Sequence, residues 1–340
     1  MVAEQVWPLL RPRRRLRCPS LSAPMSSPTV SVVVPNYNHA HFLPRCLESL
    51  LNQTLPPPEI IVIDDCSTDN SLEVLRAYAG KHPTIKVHVN ERNLGVCPNL
   101  NRANELARGD YVYSLAADDE AMPTLLERSM ELLHAHPEAG LCSGLCEWRD
   151  GATGLRWHMG AGMPRKPCYL SPTEMVALGR QGRLTISNPS GVYKKSTLLE
   201  AGGWLPELRW YTDWFGAFVV GFRHGICHVP EVLSVFNLSP NSYYHSAQSG
   251  NERADVMELV LQLLESDRYK DVAPMIAQSG VMGTFDWPMP KVIARDRSHR
   301  QFLTSAYLRR FSRRYAEVVG RRFFPDWLAR MCLKAFYHGR

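Results

Sequence analysis

The sequence predicts an α/β protein built on a mainly parallel sheet with helices on both faces. Two observations carry this. Between residues 29 and 119, short β-branched runs alternate with segments of helical apolar spacing, in the order strand, helix, strand, helix, strand, helix, strand. Such alternation implies parallel strands joined by helical crossovers. After about residue 250 the pattern changes to helices, which predicts a helical C-terminal extension.

The first run, TVSVVVPNYN (29–38), is β-branched and closed by Pro35, as a buried strand requires. HFLPRCLESLLNQ follows with Phe42, Cys46, Leu47, Leu50 and Leu51 at helical spacing. Prolines 56–58 stop that helix, Glu59–Ile63 form a second strand, and Ser67-Thr68-Asp69 cap a helix over SLEVLRAYAGKHP. IKVHVN is a third strand, and NLGVCPNLNRANELARG is a loop and helix. DYVYSLA is a fourth strand, which runs into Asp118-Asp119-Glu120. A helix covers about 124–139 and AGLCSG reads as a strand, whereas 147–170 is Gly-rich and reads as irregular. NPSGVYKKSTLLEAGGW gives strand, helix and glycine stop. YTDWFGAFVVGFRHG is a helix with Asp213 in its first turn, and ICHVPEVLSVF is a strand.

Charge divides the chain. Residues 1–24 carry +4 and residues 291–340 carry +10; the total is +6, so the 266 residues between carry −8. Basic ends on an acidic body point to an anionic membrane surface or a partner, not to nucleic acid, whose binders gather charge on a folded face. Residues 1–24 are rich in Arg, Pro and Ser and lack a signal-peptide core, so a disordered tail is expected, with translation starting at Met25. No apolar run reaches the roughly 18 residues of a membrane-spanning helix. The nine cysteines are scattered and read as reduced, which fits a cytosolic protein. The expected domains are 25–250, catalytic, and 251–340, basic and helical.

Ligands of such sheets gather at the carboxyl ends of the strands. Asp64-Asp65 and Asp118-Asp119 both stand at predicted strand ends and should converge on one crevice. Each pair alone has a bland reading as helix-cap or turn chemistry. Asp118-Asp119 can also divide its work, one carboxylate meeting a ribose and the other a hard divalent ion. Asp213 alone reads better as a favourable charge at a helix N-terminus than as a catalytic group.

Together the pieces are more specific. SVVVPNYNHAHFLPRCLESLLNQT, EIIVIDDCSTDNS, NERNLGVCPNLNRANELARGDYV and LAADDEAMP resemble, in type and order, the family 2 glycosyltransferases of the GT-A fold. SGVYKKSTLLEAGGW, YTDWFGAFVVGFRHG and VPEVLSVF match more loosely, so the resemblance covers about residues 29–243. It implies an inverting transfer of sugar from a nucleotide-diphosphate donor, a UDP-sugar favoured, to a glycan or lipid-linked acceptor. It implies that Pro35 and Tyr37 line the base pocket, with Asp65 on the base edge and Asp64 beside it. It also implies that Asn93, Gly95 and Asn101 shape the nucleotide loop, that Asp118 faces the ribose, and that Asp119 holds Mn2+ or Mg2+. Asp213 matches the family's general base.

The chain departs from the family at three places. Leu100 stands where many members carry Arg, Thr212 where Glu often precedes the base, and Ser239 where a late His is usual, with His245 six residues on. A catalytically silent nucleotide-sugar or glycan-binding protein is the alternative. A nucleotidyltransferase would need a Gly-rich basic loop after the first strand, and PNYNHAHF is not one. Trp204, Trp210, Tyr211 and Trp214 surround Asp213 and read as an acceptor platform or as core. In the C-terminal segment Leu303, Tyr307, Phe311, Tyr315 and Val318 fall on one stripe, as on a helix that lies on a bilayer or packs on its own domain.

Overall fold

The computed structural model describes residues 29–160, 162–238, 250–285 and 288–323. The expected tail 1–24, Ser239, His245 and residues 324–340 lie outside them, as does the side chain of Val318.

The strand–helix alternation is present as read: β1 (Val30–Asn36), α1 (Leu43–Leu51), β2 (Glu59–Asp64), α2 (Ser71–Lys81), β3 (Ile85–Val89), α3 (Val96–Leu106) and β4 (Tyr111–Ser114). β5 (Glu120–Ala121), α4 (Leu125–Ala135), β6 (Leu141–Asp150), β7 (Arg156–Met159), β8 (Cys168–Leu170) and α5 (Pro172–Arg180) follow. Then come β9 (Val192–Lys194), α6 (Lys195–Glu200), α7 (Thr212–His224) and β10 (Ile226–Leu238). The order across the sheet is β3-β2-β1-β4-β9-β6-β10-β5, with β7 on β6 and β8 on β10. β3, β2, β1 and β4 are mutually parallel, as are β6 and β10; β9 joins the two groups antiparallel to both neighbours.

Residues 147–170 are more regular than their sequence suggests. β6 continues to Asp150 and folds back through Gly154 (φ +69°) into β7, and β8 pairs with the start of β10. β7 alternates exposed and half-buried side chains and the outer half of β6 is mostly half-buried, so no apolar run marks them. Their neighbours in the sheet, not their own propensity, hold them extended.

Both faces of β1 and β2 are covered, which is why their sequences are apolar throughout. Val32, Val34, Ile60 and Val62 pack with Leu43, Leu47 and Leu50 of α1 and with Leu125, Leu126 and Leu133 of α4. Val33, Ile61 and Ile63 face the other way, into a core that includes Phe215, Phe218, Val219 and Phe222 of α7. The C-terminal helices α8 (Gly250–Glu265), α9 (Ala273–Ser279), α10 (Pro288–Arg295) and α11 (Ser305–Phe323) add Met257, Leu261, Ile276, Val292 and Tyr307 to that same core, and the short turn Ser298–Phe302 adds Phe302.

The expected C-terminal stripe is only partly buried. Tyr307 is inside and Phe311 packs at the edge, whereas Leu303 precedes the helix and Tyr315 is 53% exposed. Arg309, Arg310 and Arg313 donate to the carbonyls of Arg180, Leu184 and Gln181 at 3.2, 2.8 and 3.2 Å. They satisfy acceptors at and beyond the C-terminal end of α5, where a helix favours cations.

Candidate active site at the carboxyl edge of the sheet

Two loops meet at the ends of β1 and β2. Asn36 Nδ2 donates to Asp64 Oδ1 at 2.7 Å, and Ser67 donates to Asp64 through its amide at 3.1 Å and its hydroxyl at 2.7 Å. Asn38, at φ 56°, accepts from the amides of Thr68 and Asp69, and Asp69 accepts from the Ala40 amide. Asp64 thus fastens one loop to the other. Pro35 is half-buried at this edge and the Tyr37 side chain is 42% exposed.

Asp65 does a similar job one step along. Its Oδ1 accepts from Asn90 Nδ2 at 2.7 Å and the Leu94 amide at 2.8 Å, and its Oδ2 from the Gly95 amide at 2.8 Å. Asn93 Oδ1 also accepts from Gly95 N, at 3.1 Å. Gly95 has φ +86°, a conformation that other residues rarely adopt, and it starts α3 from there. Asp65, Asn93 and Gly95 therefore set the entry of α3.

The acidic stretch is a turn, not a strand end. β4 stops at Ser114, and the Asp119 amide donates to the Ala116 carbonyl at 3.0 Å. The turn, not strand pleating, separates the two acids: Asp118 is half-buried and Asp119 is 3% exposed. Asp119 Oδ1 accepts from the Asn237 amide of β10 at 2.8 Å, and Asn237 Nδ2 donates to the Asp118 carbonyl at 2.9 Å. Arg45 donates to that same carbonyl and pairs with Glu120 at 3.2 Å; Arg149 pairs with Glu120 at 3.3 Å. Burial, then the Asp118 charge, pushes the Asp119 carboxyl well above the usual carboxylate range, against the Asn237 amide and Arg45.

Among the described residues, neither Asp119 Oδ2 nor the Asp118 carboxylate has a hydrogen-bond partner. No group of three or more His, Cys, Asp or Glu is arranged among them to hold a metal by itself. The free donors are carboxylate oxygens. They suit a hard divalent ion that keeps water and takes phosphate oxygens from its substrate, as Mg2+ does with one or two protein carboxylates. Asn237 was not foreseen; a polar residue near the end of the apolar run SVFNL was its only signal.

Asp213 sits in the first turn of α7, half-buried, with Oδ1 accepting from the Trp214 amide at 2.6 Å. Burial pushes its pKa up to about 6, and the Trp214 amide holds it from going higher. Its charge reaches Cys97 of α3 and Tyr193 of β9. Tyr193 donates to Asn188 Oδ1 at 2.5 Å, and Tyr113, which feels the charge of Asp119, donates to the Pro189 carbonyl at 3.0 Å. The short turn Asn188–Ser190 therefore lies between the surroundings of the two acids.

Asn101, on α3, uses both ends of its amide on one residue. Nδ2 donates to the Trp204 carbonyl at 2.7 Å, and Oδ1 accepts from the Trp204 amide at 2.9 Å. Leu100 packs at the edge of the apolar core. Of the expected aromatic platform, Trp204, at 4% exposed, packs edge-on against Tyr193, and Trp214 packs on Phe218 and Phe285.

A mainly parallel, helix-flanked sheet with acids on the turns beyond its strands is the GT-A glycosyltransferase fold. Residues 31–192 match glycosyl transferase family 2. The chain is 37% identical over 133 residues to the uncharacterized glycosyltransferase YibD of Escherichia coli K12, covering 39% of this chain and 38% of the relative. It is 36% identical over 104 residues to the chondroitin synthase of E. coli, covering 31% and 15%. The chain thus spans well under half the length of these curated relatives. Among solved structures it resembles S. aureus TarS 1–349 in complex with UDP, with a TM-score of 0.58 at 19% identity over 80% of this chain and 77% of that one. It also resembles the mannosyltransferase PcManGT of Pyrobaculum calidifontis in complex with GDP-Man and Mn2+, with a TM-score of 0.56 at 18% identity over 94% and 88%.

Proposed function

We propose that the protein is an inverting glycosyltransferase. It moves a sugar from a nucleotide-diphosphate donor, a UDP-sugar favoured, to a hydroxyl of a glycan or lipid-linked acceptor in surface polysaccharide or glycolipid synthesis. The observation that carries this is the pair of differently set acids on either side of the 188–190 turn: Asp119 buried with a free oxygen, and Asp213 tuned to about 6. The UDP complex of TarS, the GDP-Man complex of PcManGT and the chondroitin synthase relative support the donor and product classes.

Each residue then has work to do. Pro35, Tyr37, Asp64, Asp65, Asn93 and Gly95 form the nucleotide side, with Asp64 and Asp65 holding its loops in place. Asp118 meets the ribose. Asp119, with water and donor phosphate, holds Mn2+ or Mg2+, which when bound offsets the negative charge of the departing diphosphate. Asp213 takes the proton of the acceptor hydroxyl as that oxygen attacks the anomeric carbon and the bond to diphosphate breaks. One displacement inverts the centre, and no covalent nucleophile is needed.

An anionic membrane surface is the proposed partner of residues 291–340, at the cytoplasmic face. The +10 charge of that segment and the exposed Leu308 and Tyr315 support it. No helix among the described residues is long and apolar enough to cross a membrane.

The test is a donor panel read by mass spectrometry with and without Mn2+, on wild type, Asp119→Ala and Asp213→Asn. We expect metal-dependent transfer by wild type and a loss of at least about 100-fold in each variant, with UDP binding kept in Asp213→Asn. Donor binding without metal-dependent turnover across the panel would leave a silent binding protein instead.

A further inference from the structure

We propose that Asn101 is a positioning residue for Asp213, acting through the backbone of Trp204 and the hydroxyl of Thr212. The inference rests on Asp213 being the base. α3 is a rigid segment whose N-terminal end is fixed by Asp65 through the amides of Leu94 and Gly95. Midway along it, Asn101 grips both the amide and the carbonyl of Trp204. The next amide, Leu205 N, donates to Thr212 Oγ1 at 2.7 Å, and Thr212 immediately precedes Asp213. The loop between Leu205 and Thr212 is bridged end to end by this side-chain bond and contains Arg209 at φ 49°. Four consecutive connections thus lead from the donor loop to the base.

Three details favour a built connection over incidental packing. Gly203 has φ +69°, and a Cβ there would come within 2.8 Å of Asn101 Oδ1, so the grip requires glycine next to Trp204. Trp204 packs edge-on against Tyr193 at 5.8 Å between ring centres, and Tyr193 feels the charge of Asp213. Thr212 is 7% exposed, so its hydroxyl is not spent on solvent. With both ends of its amide taken, Asn101 has no ordinary hydrogen-bonding capacity aimed at the nucleotide except its second N–H and second lone pair. The arrangement also gives Thr212 a task at the position where the family often has Glu: it closes the base loop.

The test combines steady-state kinetics with pH-dependent stability on the full chain. In Asn101→Ser and Thr212→Val we expect kcat to fall about 10- to 100-fold with donor KM within about threefold of wild type, the pattern of a displaced catalytic group. Thr212→Ser, which keeps the hydroxyl, should recover most of the kcat lost in Thr212→Val. The double variant Asn101→Ser/Thr212→Val should be little worse than the poorer single one, because both break one connection. A tenfold rise in donor KM at unchanged kcat would make Asn101 a donor contact and overturn the proposal, as would losses that multiply in the double variant or an unchanged kcat. A readout without turnover runs in parallel: the difference in Tm between wild type and Asp213→Asn, followed against pH. That difference should develop between about pH 4 and pH 6 and level off above, with Cys97, Tyr193 and Glu207 the other titratable groups nearby. When the same pair is compared in the Asn101→Ser background, the midpoint should fall towards the ordinary Asp value; an unmoved midpoint overturns the proposal. If Asp213→Asn retains full transfer, the base assignment fails instead, whatever Asn101 does.

Discussion

Asp213 sets activity against stability. Its folded pKa of about 6 lies above the ordinary 3.8 because burial disfavours the charged form. For an acid whose folded pKa is raised, the folded state holds its proton between those two values and the unfolded state does not. Stability is therefore unaffected below about pH 4, falls as pH rises through 4 to 6, and carries the full penalty above. A shift of about two units corresponds to at most about 3 kcal/mol, and partial exposure reduces this to the order of 1–2 kcal/mol. Asp213→Asn keeps an oxygen for the Trp214 amide and removes the charge. We expect it to abolish transfer yet raise Tm by several degrees at pH 8, with the gain gone at pH 4. A Tm difference that is flat with pH, or that grows as pH falls, rejects this. Wild-type kcat/KM should show an acid limb near 6. At this scale the sequence was legible in residue type but not in engagement. Asp64 and Asp65 are polar residues at the end of β2 and Asn101 is one in the middle of α3, positions where function and loop fastening use the same side chains. Only the distances show Asp64 bound to Asn36 and Ser67, and Asn101 to Trp204.

Among elements, α11 shows why an amphipathic pattern underdetermines its partner. The apolar stripe and flanking arginines could face lipid or protein, and here part of each faces protein while the rest stays exposed. Tyr307 enters the core, three arginines reach carbonyls at the end of α5, and Leu308 and Tyr315 remain more than half exposed. β7 and β8 carry the opposite difficulty. They were unreadable because pairing with β6 and β10, which is remote in sequence, makes them strands. β1, β2 and β4 were readable because each is a short run bounded by turn residues and mostly buried on both faces, and β3 because its β-branched run alternates between turn residues at the sheet edge. If α11 presents Leu308 and Tyr315 to an anionic bilayer, Leu308→Glu with Tyr315→Glu should cut binding to phosphatidylglycerol vesicles about tenfold or more, since apolar insertion is lost and two negative charges are added to the contact. Wild-type binding should also weaken steeply in 0.5 M salt. Sedimentation that is unchanged in the double variant would reject this face as the contact. These substitutions leave Tyr307 and the α5 contacts in place, which a truncation would not.

At the scale of the molecule, the C-terminal helices are part of the sheet's own support. α7 shares one core with Val33, Ile61 and Ile63, packs on β6, and has α5, α6, α9 and the aromatic edge at Phe285 among its neighbours. Val256, Met257, Val260, Leu261, Leu264, Ile276, Met289, Val292, Ile293, Phe302 and Tyr307 are all nearly or fully buried in that one core. Each side chain of this kind contributes roughly 1.5–3 kcal/mol on burial, so together they exceed the whole net stability of an ordinary domain of about 5–15 kcal/mol. A division at residue 250 would therefore separate side chains that share one core. Tyr269 makes the point locally: its hydroxyl donates to the Ala201 carbonyl at 2.9 Å, and its ring packs on Phe215, just two residues after the base. We expect the full chain to unfold in one calorimetric transition, with the van't Hoff and calorimetric enthalpies equal. A fragment ending at residue 250 should lose that transition, bind hydrophobic dyes and precipitate, because the outer faces of Phe215, Phe218 and Phe222 would meet water. A soluble 1–250 fragment that melts cooperatively at the Tm of the full chain would show that the sheet and α7 stand alone. In that case the helices would be an appended module, and the position of Asp213 would owe nothing to them.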